Sequence, residues 1–264
     1  MSLSRLQQVL SQRPLGLVFD IDGTLSPIAP TPGEARLYPG VAALLERARE
    51  HAHIAIVTGR GIVDGAPIVN VEGLTYVGIH GLEWSEGLPA THPIYVEPEA
   101  LPYREPGTRL LDLVEGHLSE LPGVIVQRKQ IGGTIHYRYS PHPQEARDAI
   151  LSMLQEPARQ LQMRLREGKM AVEILAPLAI DKGQALRRFV SLHDLQGVIF
   201  AGDDRTDLDA VLAIAQLREE GKKALSIVVQ QSDTLPALLS HADIVVQGVP
   251  GMVDLLRQIV EFLS

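Results

Sequence analysis

The sequence predicts an α/β fold: a doubly wound, mainly parallel sheet with an inserted α+β unit. Three observations carry this. Short apolar runs alternate with amphipathic helical stretches at both ends of the chain, and strand–helix–strand order implies a parallel sheet. Several runs end in Asp, Thr or Gly, as strands do when their C-terminal ends deliver polar residues into loops. Between 104 and 176 the order becomes helix, hairpin, helix, hairpin, which suits an antiparallel α+β unit.

Leu15–Phe19 is a continuous apolar run, the mark of a strand buried on both faces, and it ends in Asp20-Ile21-Asp22-Gly23-Thr24. A helix is expected over 41–51, with Val41, Leu44, Leu45 and Ala48 at three-to-four spacing after Pro39-Gly40. His53–Val57 is a second buried strand, closed by Thr58-Gly59-Arg60. Leu74–Ile79 is a third, running into His80-Gly81-Leu82-Glu83. The proline-rich stretch 87–107 has no clear period and reads as a connection.

In the insert, a helix is expected over 108–121, and strands at 124–129 and 134–139 around Gly132-Gly133. A second helix follows over 144–161, interrupted near Pro157. A hairpin of 163–166 with 170–175 then turns at Glu167-Gly168-Lys169. After Pro177 the first rhythm returns: helix 182–192, strand 197–201, helix 207–217, strands 224–229 and 244–246, and a closing helix 250–263. The core is therefore assigned to 1–103 and 177–264, and the inserted unit to 104–176.

Composition narrows the function. Lys and Arg number 24 against 32 Asp and Glu, a net charge of −8, which disfavours a nucleic-acid or anionic-membrane binder. Hydrophobic residues at 45% and charged residues at 21% suit a soluble protein with a large core. The absence of cysteine excludes disulfides, thiolate nucleophiles and Cys-ligated metals, leaving oxygen and nitrogen ligands. Met1–Pro14 has no apolar stretch of leader length, and no run reaches a membrane span. A cytoplasmic monomer acting on a small molecule is expected.

The chemistry concentrates at strand ends. Asp20 and Asp22 sit two apart, and the break at Gly23 lets the second carboxylate turn toward whatever the first contacts, so one can attack while the other handles a proton. Asp203, Asp204 and Asp207 follow the strand 197–201, three acids in five positions, more than helix capping needs. If that strand lies beside the Asp20 strand, the carboxylates converge and need a hard cation such as Mg²⁺. Thr58, the following backbone N–H groups and Lys182 supply what a bound phosphoryl group needs beside an aspartate nucleophile.

Taken in this order, the motifs resemble the haloacid dehalogenase superfamily, which has a Rossmann-like core. The resemblance implies Asp20 as nucleophile, forming an aspartyl-phosphate, and Asp22 as general acid then base. It implies Thr58 and Lys182 as phosphate contacts. Mg²⁺ would be held by Asp20, the Asp22 main-chain carbonyl and Asp203, supported by Asp204 and Asp207. The presence of Asp22 favours phosphatase chemistry over dehalogenation.

The finer match is to the trehalose-phosphate phosphatase family, through Asp22–Ile28, Thr58-Gly59-Arg60, His80-Gly81-Leu82-Glu83, His136-Tyr137-Arg138, Gly168-Lys169 with Glu173, Asp181-Lys182-Gly183 and Gly202–Asp207. It implies that the insert is a cap closing over the core, with Gln127, Lys129, Arg138, Lys169 and Glu173 binding sugar hydroxyls. Gly59, Arg60, His80 and Gly81 would contribute from the core. Gln127 stands where that family usually carries Glu, and Leu208 where it usually carries an acid. Trehalose 6-phosphate is the expected substrate, with sucrose phosphate or a glycosyl-3-phosphoglycerate as alternatives, and a catalytically silent sugar-phosphate binder as a third reading. A receiver-type signalling module also groups acids, a threonine and a lysine, but is about half this length and lacks the Asp-x-Asp proton donor. Trp84 and His136 are read as packed or hydrogen-bonded residues.

Overall fold

The protein is described by a computed structural model covering residues 2–264. Met1, the first residue of the segment read for a leader, lies outside the described residues. In chain order the first elements are α1 (Ser2–Leu10), β1 (Leu15–Phe19), α2 (Val41–Ala48), β2 (His53–Val57), α3 (Ile62–Val69), β3 (Thr75–Gly78), β4 (Glu83–Ser85) and β5 (Tyr95–Val96). Then come α4 (Arg104–Glu115), β6 (Ile125–Arg128), β7 (Gly133–His136), α5 (Pro143–Gln160), β8 (Arg164–Gly168) and β9 (Ala171–Leu175). The last are α6 (Lys182–Leu192), β10 (Gly197–Gly202), α7 (Leu208–Glu219), β11 (Lys223–Gln230), α8 (Pro236–His241), β12 (Ile244–Gln247) and α9 (Gly248–Leu263). Among the described residues no helix is long and apolar enough to cross a membrane.

The chain divides into two compact units, Met1–Tyr95 with Ile180–Ser264, and Val96–Ala179. The first is built on an eight-stranded sheet of order β12-β11-β10-β1-β2-β3-β4-β5. β1 pairs parallel with β10 on one side and β2 on the other. Strand order therefore reverses at β1, where chain ends diverge and leave a crevice beyond the strand C-termini.

Period-two alternation sends β1 side chains to both faces. Leu17 and Phe19 join Ile54, Ile56, Ile199, Leu225 and Ile227 against α1, α2 and α9. Val18 joins Ala55, Val57, Val198 and Phe200 against α6 and α7. With both faces covered, a central strand must be apolar throughout, which is why β1 reads as an unbroken run.

The second unit is a four-stranded antiparallel sheet, β6-β7-β9-β8. One face, through Ile135, Val172 and Ile174, packs on Leu110, Leu111 and Val114 of α4 and on Ile150 and Leu154 of α5. The opposite face carries the row Gln127–Thr134–Glu173–Arg166, set by the strand register.

Several boundaries differ from the sequence reading. The expected 108–121 helix begins earlier and ends at Gly116, whose N–H bonds back to Asp112 O, and a 3₁₀ turn follows at Leu118–Glu120. α5 runs through Pro157 without interruption. The ring removes one N–H, but the Pro157 carbonyl still accepts from Leu161 and buried Leu154 and Ala158 hold the flanking turns. Glu167 and Gly168 belong to β8, so the hairpin turns at Lys169–Met170, with Met170 at φ 56°. β7 ends at His136, which leaves Arg138 exposed in the turn that follows.

Candidate active site

The last backbone bond of β1 is carried past the strand by Asp20, whose N–H donates to Ala201 O at 3.0 Å. This ties the first acidic motif to the end of β10, where Asp203 stands. Oxygens of Asp20, Asp203 and Asp207 all lie within 4.8 Å of one another, and the three residues are 4%, 1% and 0% exposed. Lys182, buried at the first position of α6, places its Nζ 2.8 Å from Asp20 Oδ1 and 2.7 Å from Asp207 Oδ1. Asp181 caps that helix by accepting from Gln184 N–H at 2.8 Å, which fixes where Lys182 departs from the backbone.

Asp207 works in two directions. Its Oδ1 accepts from Lys182, while its Oδ2 accepts from the N–H groups of Asp203 at 3.0 Å and Asp204 at 2.9 Å. The side chain thus shapes the turn that presents Asp203. Gly23 has φ 83°, and a Cβ there would lie 2.2 Å from Asp203 Oδ2, so only glycine leaves room for that carboxylate. Gln231 Nε2 donates to Gly23 O at 3.0 Å and anchors the same turn from the end of β11.

Burial pushes the Asp20 carboxyl up to about 7. Lys182 opposes this and Asp207 and Asp22 add to it. Burial pulls Lys182 down, but Asp20 and Asp207 outweigh it and hold the ammonium charged, above its ordinary range.

Three buried carboxylates share one lysine charge, leaving a formal excess of two negative charges where a hard divalent cation fits an all-oxygen donor set. The space that Gly23 keeps open at Asp203 belongs to the same cradle. Asp22 and Asp204 fall outside this cluster. Arg60 grips Asp22 with Nε at 2.6 Å from Oδ2 and Nη2 at 2.7 Å from Oδ1, while its Nη1 donates to Pro32 O at 2.9 Å. Arg60, expected as a substrate contact, is therefore committed to holding Asp22.

A pH-dependent response to cation follows. With a folded-state pKa near 7 against 3.8 in the unfolded chain, the folded protein holds the Asp20 proton more tightly. In EDTA this group therefore lowers stability as pH rises from about 4 to about 7. A divalent cation competes with that proton, so the rise in melting temperature caused by Mg²⁺ should be small at pH 5.5 and large at pH 8. A shift that does not change with pH would remove Asp20 from the cation site.

Thr58 follows β2, accepts the Arg60 N–H on its hydroxyl at 3.2 Å and is 4% exposed. His80 N–H donates to Thr58 O at 3.0 Å and Ile79 N–H to Arg60 O at 2.8 Å, so the loops after β2 and β3 are laced together. Ile79, His80 and Gly81 have φ of 46°, 58° and 125°. The first is β-branched, for which this backbone costs roughly 1–3 kcal/mol and persists only where the surroundings enforce it. Gly59 lets the His80 ring approach, since a Cβ there would lie 2.6 Å from His80 Cε1.

Glu83 is a part of this scaffold that the sequence reading quoted in a motif but gave no role. It is 1% exposed, and its Oε2 accepts the Ile62 N–H at 2.7 Å, at the first residue of α3. A carboxylate there is favoured by the helix dipole and holds the Thr58–Arg60 loop against β4. Trp84 is core, 4% exposed, with Nε1–H donating to Gly81 O at 3.1 Å and Arg188 stacked 4.5 Å from its ring centre.

In the second unit, Glu173 accepts from Arg166 Nε at 2.8 Å and Nη2 at 2.6 Å, and lies 3.4 Å from Lys129 Nζ. Gln127 Oε1 is 3.1 Å from His136 Nε2. The structure thus brings Gln127, Lys129 and Glu173 onto one polar sheet face and adds Arg166, which the sequence reading missed. Arg138 and Lys169 lie instead in the turns at the Tyr137–Met170 end of that sheet, where Tyr137 N–H donates to Met170 O.

A family model described as trehalose-phosphatase matches residues 18–243. Trehalose-phosphate phosphatase of Mycobacterium avium is 31% identical over 214 residues, covering 78% of this chain and 52% of that protein. The Mycobacterium leprae counterpart is 31% identical over 238 residues, covering 85% and 52%. The chain thus spans about half the length of these relatives. Among solved structures, a trehalose-6-phosphate phosphatase related protein superposes with a TM-score of 0.77 at 24% identity, covering 93% of this chain and 97% of that one. The C-terminal domain of C. albicans trehalose-6-phosphate phosphatase gives 0.80 at 17% identity, covering 100% and 98%, which speaks to fold alone.

Proposed function

The chain belongs to the trehalose-phosphatase family, and on that premise we propose that it is a Mg²⁺-dependent phosphatase acting on a sugar phosphate, trehalose 6-phosphate first. The observation that carries this reading is the buried cluster of Asp20, Asp203 and Asp207 bridged by Lys182, at the ends of β1 and β10.

An Asp20 carboxylate oxygen attacks phosphorus, the bond from phosphorus to the sugar oxygen breaks, and Asp22 gives that oxygen its proton. Asp22, now ionised, takes a proton from water as the water oxygen attacks phosphorus. The bond to Asp20 breaks, phosphate leaves, and both acids return to their starting state. Arg60 spans both Asp22 oxygens and must free one for each proton transfer. Lys182 and Thr58 hold phosphoryl oxygens. Asp20, Asp203 and the Asp22 main-chain carbonyl would hold Mg²⁺, with Asp204 and Asp207 supporting, and the ion would supply positive charge against the phosphoryl oxygens. Asp207 acts through Lys182 and the Asp203 turn. On the second unit, Gln127, Lys129 and Glu173 contact sugar hydroxyls, joined by Arg138 and Lys169.

A second reading, a phosphatase for another glycosyl phosphate, is favoured by Gln127. Its amide is engaged by His136, and it offers a donor and an acceptor where a carboxylate only accepts. The test is phosphate release with Mg²⁺ from trehalose 6-phosphate, sucrose 6-phosphate, glucose 6-phosphate and glucosyl-3-phosphoglycerate, with an EDTA control. We expect the highest kcat/KM on trehalose 6-phosphate and none in EDTA. Preference for another ester would move the substrate and keep the mechanism, and no release from any would leave a silent binder.

A further inference from the structure

At the end of the core sheet opposite the acidic cluster, a cleft of about 280 Å³ opens between α1, the C-terminal end of α7 and the start of β11. Its lining includes Arg5, Arg218, Lys222 and Lys223 and no carboxylate. This runs against a chain whose net charge is −8.

Two of the four cations are held in place from outside the cleft. Asp243, whose side chain is 9% exposed, accepts from Arg5 Nη1 at 2.8 Å on one oxygen and from Arg218 Nη1 at 2.5 Å on the other. Its Oδ2 also accepts from Ser226 N–H at 2.9 Å and Ser226 Oγ at 3.0 Å. One carboxylate thus fixes two guanidinium groups while using only one N–H-bearing nitrogen of each, and a guanidinium has five N–H donors. Among the described residues Lys222 reaches one carboxylate, Asp194 at 3.7 Å, which is 88% exposed. Lys223 has no ion pair among the described residues. Four cations against two acids, Asp243 and Asp194, leave a local excess of about two positive charges.

We propose that this cleft is an anion site for a small phosphate-bearing ligand, separate from the catalytic cluster. Fixed planar guanidinium groups beside flexible ammonium groups match phosphate oxygens. The volume lies near the lower limit of small-molecule pockets, which suits one or two phosphate groups and not a nucleotide. The site stands at the strand N-termini, roughly 20 Å of six-residue strand away from Asp203.

The experiment is calorimetric titration of pyrophosphate into the full chain in EDTA, where the uncompensated carboxylates at the catalytic end repel anions. A hexose bisphosphate run in parallel separates a free anion from an esterified one. Binding of either to the native chain, weakened at least about tenfold in Lys222→Ala/Lys223→Ala, is the expected result. The double variant should keep the native melting temperature and the native Mg²⁺-dependent turnover, and Arg5→Gln should weaken binding as well. No binding to the native chain, or equal binding to the double variant, would overturn the proposal. So would a double variant that loses turnover along with binding, because the anion would then share the catalytic end. The titration reads binding directly, so its outcome is independent of which ester the enzyme hydrolyses.

Discussion

Asp20→Asn should abolish phosphate release, by at least about 10⁴-fold in kcat, with no loss of folded stability in EDTA. The two halves of this expectation come from different features of the same side chain. The carboxamide keeps the shape of the carboxyl but has no nucleophilic oxygen anion. Burial already holds the native group up to about 7, so near neutral pH the folded protein carries a strained negative charge that the amide removes. The melting temperature in EDTA should therefore stay level or rise, and the Mg²⁺-induced shift should shrink. Phosphate-release assays and thermal melts on one preparation decide the matter. Residual turnover near the native rate would remove Asp20 as nucleophile, and a collapsed melt would show that its role is structural.

Lys182→Met should show the converse pattern, with stability failing first. Methionine keeps the stem volume and deletes the ammonium that sits between Asp20 and Asp207. Breaking a buried ion pair from one side costs about 3–5 kcal/mol, because the remaining charge stays buried and uncompensated. For a chain of this size that lowers the melting temperature by roughly 6–20 °C in EDTA at pH 7.5. Lowering the pH to about 5 should recover part of the loss, since the Asp20 carboxyl, held up to about 7, then takes up a proton, and Mg²⁺ should recover part at pH 7.5. Turnover should fall whether or not stability is restored, because the phosphoryl contact proposed for Lys182 is gone. An unchanged melt at both pH values would mean that the carboxylates are neutralised by another group.

Much of the architecture was legible in the sequence because β1, β2, β10 and β11 are buried on both faces and so leave apolar runs, the first three of which end at the acidic and threonine motifs. The four core positions Asp20, Thr58, Lys182 and Asp203 share one principle: each follows a strand or opens a helix at the same sheet edge. α3 stayed hidden because its sequence contains Gly65 and Pro67, which break the helical pattern. Its start is held by Glu83 from another strand, a tertiary contact that no local pattern encodes. Arg166 was missed for a similar reason. Its importance comes from standing opposite Glu173 across β8 and β9, and register is not visible before the turn is placed. The turn, expected across Glu167-Gly168-Lys169, stands further on because Glu167 and Gly168 continue β8 and Met170 takes the left-handed conformation.

The pairing of β1 with β10 has a consequence for how the protein comes into being. These neighbours at the centre of the sheet come from opposite ends of the chain, and Asp20 stays beside Ala201 by a single backbone bond. During synthesis the first half of the chain, with Asp20 and the Asp22–Arg60 pair, emerges long before β10 exists to complete the site. The nascent chain therefore carries β1 with one unpaired edge while the helices and hairpins of the Val96–Ala179 unit, whose contacts are local, are already able to assemble. Completion of the Asp20–Asp203–Asp207 cluster is thus a late event in biogenesis, and a chain truncated before Gly202 is born without it.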